Sequence, residues 1–214
     1  MPPITNVYID GFNLYYGLKG TPYKWLDLAA LFDRVLPRND VQRIRYFTAR
    51  IKPQSGDPDG PASVARQQTY LAALASNSRV SIHYGQFLAS KTYARLVSPP
   101  PPPAPPTARV HKMEEKGSDV NLATWMLVDA FENDCDVSVL VTNDSDLAFP
   151  MQVLSQRLGR TVGLINPRGG GHSQSLLREQ PAFKRSLHHA DLAASQFPAV
   201  VTAGARRLHR PQAW

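Results

Sequence analysis

The sequence predicts an α/β fold, a doubly wound and mostly parallel sheet flanked by helices on both faces. Three observations predict it. Short apolar runs rich in β-branched residues recur at residues 4–9, 41–49, 80–88, 137–141 and 161–165. Segments with Leu and Ala at helical spacing lie between them. The 214 residues, 43% hydrophobic and 19% charged, are enough for one domain with its own core.

Residues 4–9 read as a buried strand, and Asp10-Gly11 leads into a short helix at 13–18. Residues 27–36 read as a helix, with Asp27 as its N-cap and Pro37 as its stop. The alternating 41–49 is a second strand, 54–61 (QSGDPDGP) a loop, and 61–77 a helix with Pro61 in its first turn. Residues 80–88 form a third strand. Residues 98–106 read SPPPPPAPP, which implies an extended polyproline II segment. It is a stiff surface loop within the domain or an SH3-type ligand.

Residues 109–115 suit a short strand, and 118–132 a helix capped by Ser118. A fully buried strand follows at 137–141, a helix at 147–158 ending at Gly159, and a fifth strand at 161–165. Short helices follow to about residue 197. Arg206, Arg207, His209 and Arg210 mark residues 203–214 as a loose basic tail. The expected organisation is one domain over 1–198 and a tail over 199–214.

The net charge of +7 and pI near 9.7 favour a polyanionic partner. The single cysteine, Cys135, cannot form an internal disulfide, which suits a reducing, cytoplasmic setting. No apolar run reaches the roughly 18 residues of a membrane span, and the first residues do not read as a signal peptide.

Sheets of this kind place their sites beyond the carboxyl ends of the strands, where the strand order reverses. Three polar clusters fall there. Asp10-Gly11-Phe12-Asn13 follows the first strand and is also a common turn pair. Thr142-Asn143-Asp144-Ser145-Asp146 follows the fourth strand. Helix capping explains one of its carboxylates but not two beside an Asn and a Thr. Lys116-Gly117-Ser118-Asp119 opens a helix, where the dipole alone favours an acid. If the first and fourth strands are neighbours, Asp10, Asp144 and Asp146 converge and Asp119 points in. Four crowded carboxylates do not stay ionised together without a cation. Oxygen donors without a His/Cys set select Mg²⁺ or Mn²⁺.

The strings VYIDGFNLYYG, HYGQF, EEKGSDVNLA, LVTNDSDL and VGLINP occur in this order. The series resembles the NYN domain family, the LabA-like, DUF88 branch of the PIN-like nucleases. The resemblance runs from about residue 4 to 198 and implies a PIN-like fold and metal-dependent ribonuclease activity. It assigns metal ligation and catalysis to Asp10, Asp119, Asp144 and Asp146, and a catalytic supporting role to Asn13. Thr142-Asn143-Asp144 stands where relatives usually carry Ser-Gly-Asp or Ser-Asn-Asp.

Thr142 and Asn143 are expected to help bind substrate, and Lys112 and Lys116 to hold the polyanion backbone at the rim. Glu114 and Glu115 read as a solvated charged strand. Asp129, about 15 Å along the helix from Asp119, reads as a surface or pairing group. Residues 169–173 (GGGHS) suit a flexible connection or a phosphate cradle. Tyr15, Tyr16 and Trp25 suit base stacking or, as neighbours of apolar helical positions, the core.

The expected function is a Mg²⁺- or Mn²⁺-dependent ribonuclease cutting endonucleolytically, with RNA as partner. A homo-oligomer is compatible with the sequence. A nucleic-acid-binding or scaffold module with a silent site, and a small-molecule phosphohydrolase, are the competing readings.

Overall fold

The first strand along the chain, β1 (Ile4–Asp10), lies at the centre of the sheet and is buried from Thr5 onward. The computed structural model describes residues 1–52 and 59–214, so most of the loop expected at 54–61 lies outside the described residues. β1 pairs in parallel with β2 (Asp40–Ala49) on one side and β5 (Val137–Val141) on the other. β3 (Val80–Arg95) extends the first side. β6 (Thr161–Asn166) and β7 (Phe183–Ser186) extend the second, all in parallel. β4 (Thr107–Lys116) adds antiparallel to β3, giving the order β4-β3-β2-β1-β5-β6-β7. The chain therefore winds one way from β1 to β3 and the other way from β5, and the order reverses between β1 and β5.

Period-two alternation distributes the core over both faces. Val7 and Ile9 pack beneath α1 (Gly11–Leu18), α2 (Leu28–Val35) and α3 (Gly60–Leu74) in one apolar cluster. Tyr8 and Leu140 face the second cluster, with α4 (Ser118–Phe131), α5 (Ala148–Gln152) and α6 (Gln174–Arg178). Asp27 caps α2 as expected, accepting the N–H of Ala29 at 3.0 Å. Asp129 is a pairing group, and it is buried. Beneath α4 it takes the Arg45 guanidinium through two bonds of 2.8 and 2.7 Å and the Tyr8 hydroxyl at 2.7 Å.

Four local expectations change. The third strand runs on to Arg95, and the short strand expected at 109–115 spans Thr107–Lys116, because each completes the other's backbone hydrogen bonds. Residues 98–106 are not a straight rod. They close this hairpin, with the Ala104 N–H donating to the Pro101 carbonyl at 3.3 Å. The helix expected over 147–158 is a 3₁₀ turn (Ser145–Leu147), then α5, then a π-helical stretch (Val153–Arg157) in which Leu158 N–H reaches five residues back to Val153.

The loose tail is ordered. α7 (His189–Ala194) leads to a hairpin of β8 (Val200–Ala203) and β9 (Arg206–His209). Val201 is buried, Leu208 packs on the first cluster, and Trp214 meets Tyr70 edge-on at 5.5 Å. The arginines that suggested a solvated tail include Arg210, which donates to the carbonyls of Pro22 and Trp214.

Candidate active site

Asp10 ends β1 and begins α1. Its carboxylate caps the helix by accepting the Asn13 N–H at 2.9 Å, and it also accepts the Thr142 hydroxyl at 2.9 Å. Burial raises its pKa above the usual carboxylate value against the pull of those hydrogen bonds, and the Asp144 charge adds to the rise. Thr142 follows β5 directly, beside the end of β1, because Ile9 pairs with Val141. Its one hydroxyl donates to Asp10 and accepts the Asp144 N–H at 3.0 Å. Thr142 is fully buried and so positions the two acids rather than meeting a substrate.

Asn143 has a similar task. Its N–H donates to the Asn13 side-chain carbonyl at 3.3 Å. Its own side chain holds residues 169–173, donating to the Gly171 carbonyl at 3.2 Å and accepting the Ser173 N–H at 2.7 Å. Asn166 donates to the same Gly171 carbonyl, so the glycine run is pinned by side chains from two strands' ends.

A cleft of about 280 Å³ opens above these ends. Asp10, Asp119, Asp144 and Glu115 bring carboxylates to it, and Asn13 and Ser118 also line it. Asp119, in the first turn of α4, has its pKa raised to about 6, first by burial and then by the charges of Asp10, Asp144, Glu115 and Asp146. Glu115 sits there because β4 ends beside the start of α4, where its carboxylate accepts the Ser118 N–H at 3.0 Å and hydroxyl at 2.7 Å. Gly85 permits the approach: a Cβ there would stand 2.3 Å from the Glu115 carboxylate and 2.6 Å from the Lys116 carbonyl.

Residues 4–187 match the NYN domain. The chain belongs to the NYN domain family. The 6-hydroxy-3-succinoylpyridine 3-monooxygenase HspA of Pseudomonas putida (strain DSM 28022 / S16) is 34% identical over 238 residues, covering all of this chain and 76% of that protein. A protein of unknown function from Vibrio parahaemolyticus RIMD 2210633 shares the fold, with a TM-score of 0.50 and 14% identity over 88% of this chain and 94% of that one. The fold and the family thus agree with the PIN-like α/β architecture, a nuclease superfamily.

Of the expected site residues of this NYN domain, Asp10, Asn13, Asp119 and Asp144 share the cleft. Asp146 is exposed and lies outside the lining; its N–H donates to Asp144 at 3.0 Å, and its charge reaches Asp119. Lys112 and Lys116 also stand outside the lining. Strand alternation puts them on the face of β4 opposite Glu115. There both pair with Glu114, at 2.5 and 3.7 Å, and the Lys112 partner draws the Glu114 pKa below its usual value.

Phe12, Tyr16, Phe87, Glu115 and Arg168 complete the cleft; of these the sequence suggests a ligand-binding role only for Tyr16, as a base-stacking ring. Arg168 could have been found, since it follows β6 at the carboxyl edge where such folds bind ligands. Its guanidinium lies 5.8 Å from the Tyr16 ring centre. Tyr15 and Tyr16 are exposed, whereas Trp25 is wholly buried.

The cleft's donor set tests the fit to a divalent cation. Among the described residues, no three His, Cys, Asp or Glu side chains gather closely enough to enclose an ion. The mutual repulsion registered at Asp119 nevertheless marks a concentration of negative charge. This suits Mg²⁺ or Mn²⁺ held by one or two carboxylates and completed by water and substrate oxygens. Asp10, Asp119 and Asp144 are the residues from which those one or two carboxylates would come.

Proposed function

We propose that this NYN domain hydrolyses RNA phosphodiester bonds with the help of Mg²⁺ or Mn²⁺. The observation that carries this reading is the meeting of Asp10, Glu115, Asp119 and Asp144 in one cleft at the reversal of strand order. A divalent ion bound there supplies charge neutralisation at the phosphate and an activated water.

The chain's own residues supply the rest. Arg168 meets a phosphate oxygen, a geometry guanidinium groups favour. Tyr16 and Phe87 flank the cleft and stack on a base. Thr142 fixes Asp10 and Asp144 relative to each other, and Asn13 ties α1 to the Asn143 backbone. Asp119 ionises only above about pH 6 while the cleft holds no cation, so protons and cation compete for it. Asp146 adds negative potential from outside the cleft. The buried single thiol, Cys135, suits a reducing cytoplasm. Among the described residues no helix is long and apolar enough to cross a membrane.

The test is cleavage of labelled RNA by wild type and Asp144→Asn with Mg²⁺, Mn²⁺ and chelator. Wild type should cut only with a divalent ion. The variant should lose about 10² or more of the rate if charge placement dominates. Cleavage in excess chelator would refute the reading. RNA binding without cleavage under every metal would make this a binding module with a silent site.

A second reading rests on the whole-chain similarity to a protein named as a monooxygenase of a substituted pyridine. Phe12, Tyr16 and Phe87 with Arg168 are also the groups that would hold a small aromatic acid. Oxygen uptake with 6-hydroxy-3-succinoylpyridine and a reduced nicotinamide or flavin donor distinguishes it from RNA cleavage.

A further inference from the structure

β3 stays in the central sheet only as far as Gly85, its last partner on β2. From Gln86 to Arg95 it pairs with β4 alone, as an antiparallel two-stranded arm. The arm leaves from the carboxyl edge of the sheet, where the cleft lies. Directly paired residues share a face of such a ribbon, and the face repeats every second residue. Phe87 and its partner Glu115 both line the cleft. The same face then carries Lys91 opposite His111, Tyr93 opposite Arg109, and Arg95 opposite Thr107.

Lys91, Arg95 and Arg109 are exposed, and among the described residues none forms an ion pair. Tyr93 is 71% exposed and so presents its ring to solvent. The opposite face differs in kind: its charges, Lys112, Glu114 and Lys116, pair with one another near the base of the arm. At about 3.3 Å per residue, the cleft-side face runs roughly 26 Å from Phe87 to Arg95. Unpaired cations spaced around an exposed aromatic ring suit a flexible polyanion whose bases are free to stack.

We propose that this face is the track for single-stranded RNA running from the cleft, with Lys91, Arg95 and Arg109 on its phosphates and Tyr93 stacked on a base. The inference rests on RNA being the substrate. It adds where the strand lies and gives the arm a binding role that cleavage alone does not test.

The probe is a labelled oligouridine of about 20 nucleotides, longer than the roughly 4–16 that single-strand sites cover. Its affinity is measured with chelator present over a series of salt concentrations. The triple variant Lys91→Ser, Arg95→Ser, Arg109→Ser should bind at least about tenfold more weakly at roughly 0.1 M salt. Its logarithmic salt slope should be shallower by about 2, from roughly 0.7 per lost contact. Tyr93→Ala should weaken binding by about tenfold without changing the slope. Lys112→Ser, on the opposite face, should change neither. With Mg²⁺ or Mn²⁺, a dinucleotide should be cut equally by wild type and triple variant, while the oligouridine should be cut more slowly by the variant.

Arm-dependent binding without any cleavage would support the track and refute the nuclease reading. Cleavage and binding of the oligouridine that are alike in wild type and a folded triple variant would refute the track alone. Wild type that does not bind RNA would refute it too. So would a wild-type dimer that dissociates in the triple variant, because the face would then be an interface between copies.

Discussion

Asp119→Asn should make the cation-free protein more stable at neutral pH. The Asp119 pKa rises from 3.8 to about 6 in the fold, about two units. At about 1.4 kcal/mol per unit, a fully buried group would lose roughly 3 kcal/mol on ionising. Asp119 is only half-buried, and solvent screening reduces this to about 1.5 kcal/mol. Its favourable interaction with the α4 dipole, about 0.5 kcal/mol, is lost in the variant, leaving a net gain of about 1 kcal/mol. The folded state binds the extra proton, so the Asp119 contribution to stability is fully present below about pH 4 and is lost as the pH rises through 6. The variant has no such loss. Urea titrations with chelator should therefore give matching midpoints near pH 4 and a variant midpoint higher by about 0.5 M at pH 7.5, for a slope near 2 kcal/mol/M. Millimolar Mg²⁺ should narrow or reverse the difference by stabilising the wild type more. A variant that is equal or less stable at pH 7.5 with chelator would refute the electrostatic account of the cleft.

Other perturbations test the supports of the site. Arg45→Met strands the buried Asp129 carboxylate and should cost about 3–5 kcal/mol in urea unfolding, most of which Arg45→Met with Asp129→Leu should restore. Thr142→Val removes a hydroxyl that both donates and accepts. It should cost about 1–3 kcal/mol, measured by thermal melting, and should slow RNA cleavage at least about tenfold with RNA affinity unchanged. Replacing residues 98–106 by a short Gly/Asn turn should change stability by no more than about 0.5 kcal/mol, because the strands, not the loop, hold the hairpin. A larger loss in a denaturant titration would mean that the loop packs on the domain.

The parallel core was legible because β1, β5 and β6 are mostly apolar buried runs and β2 alternates apolar with polar residues. The acidic centre was legible because Asp10 and Asp144 directly follow two of those runs. The arm was not. From Leu88 onward the residues of β3 are exposed and carry no burial pattern, so only pairing with β4 defines the strand there. For the same reason the sequence does not fix the face of β4 that Lys112 and Lys116 occupy. Proximity to Asp119 along the chain said nothing about which face of β4 they occupy. Glu114 and Glu115 look alike in the sequence, yet neighbours on a strand point to opposite faces, and only Glu115 reaches the cleft. Trp214 and Val201 were lost in a segment whose arginines dominated its composition.

The seam between β1 and β5 joins segments 130 or more positions apart, and the bonds across it include Thr142 to Asp10 and Asn143 to Asn13. An amino-terminal half of the chain can pair β1 with β2 and β2 with β3, but it presents Asp10 without the hydroxyl that orients it. The cleft therefore exists only after β5 has docked, a long-range event of the kind that slows folding. Chemistry that depends on these acids is silent in any chain that stops short of β5, and its first appearance during refolding times the closure of the two half-sheets.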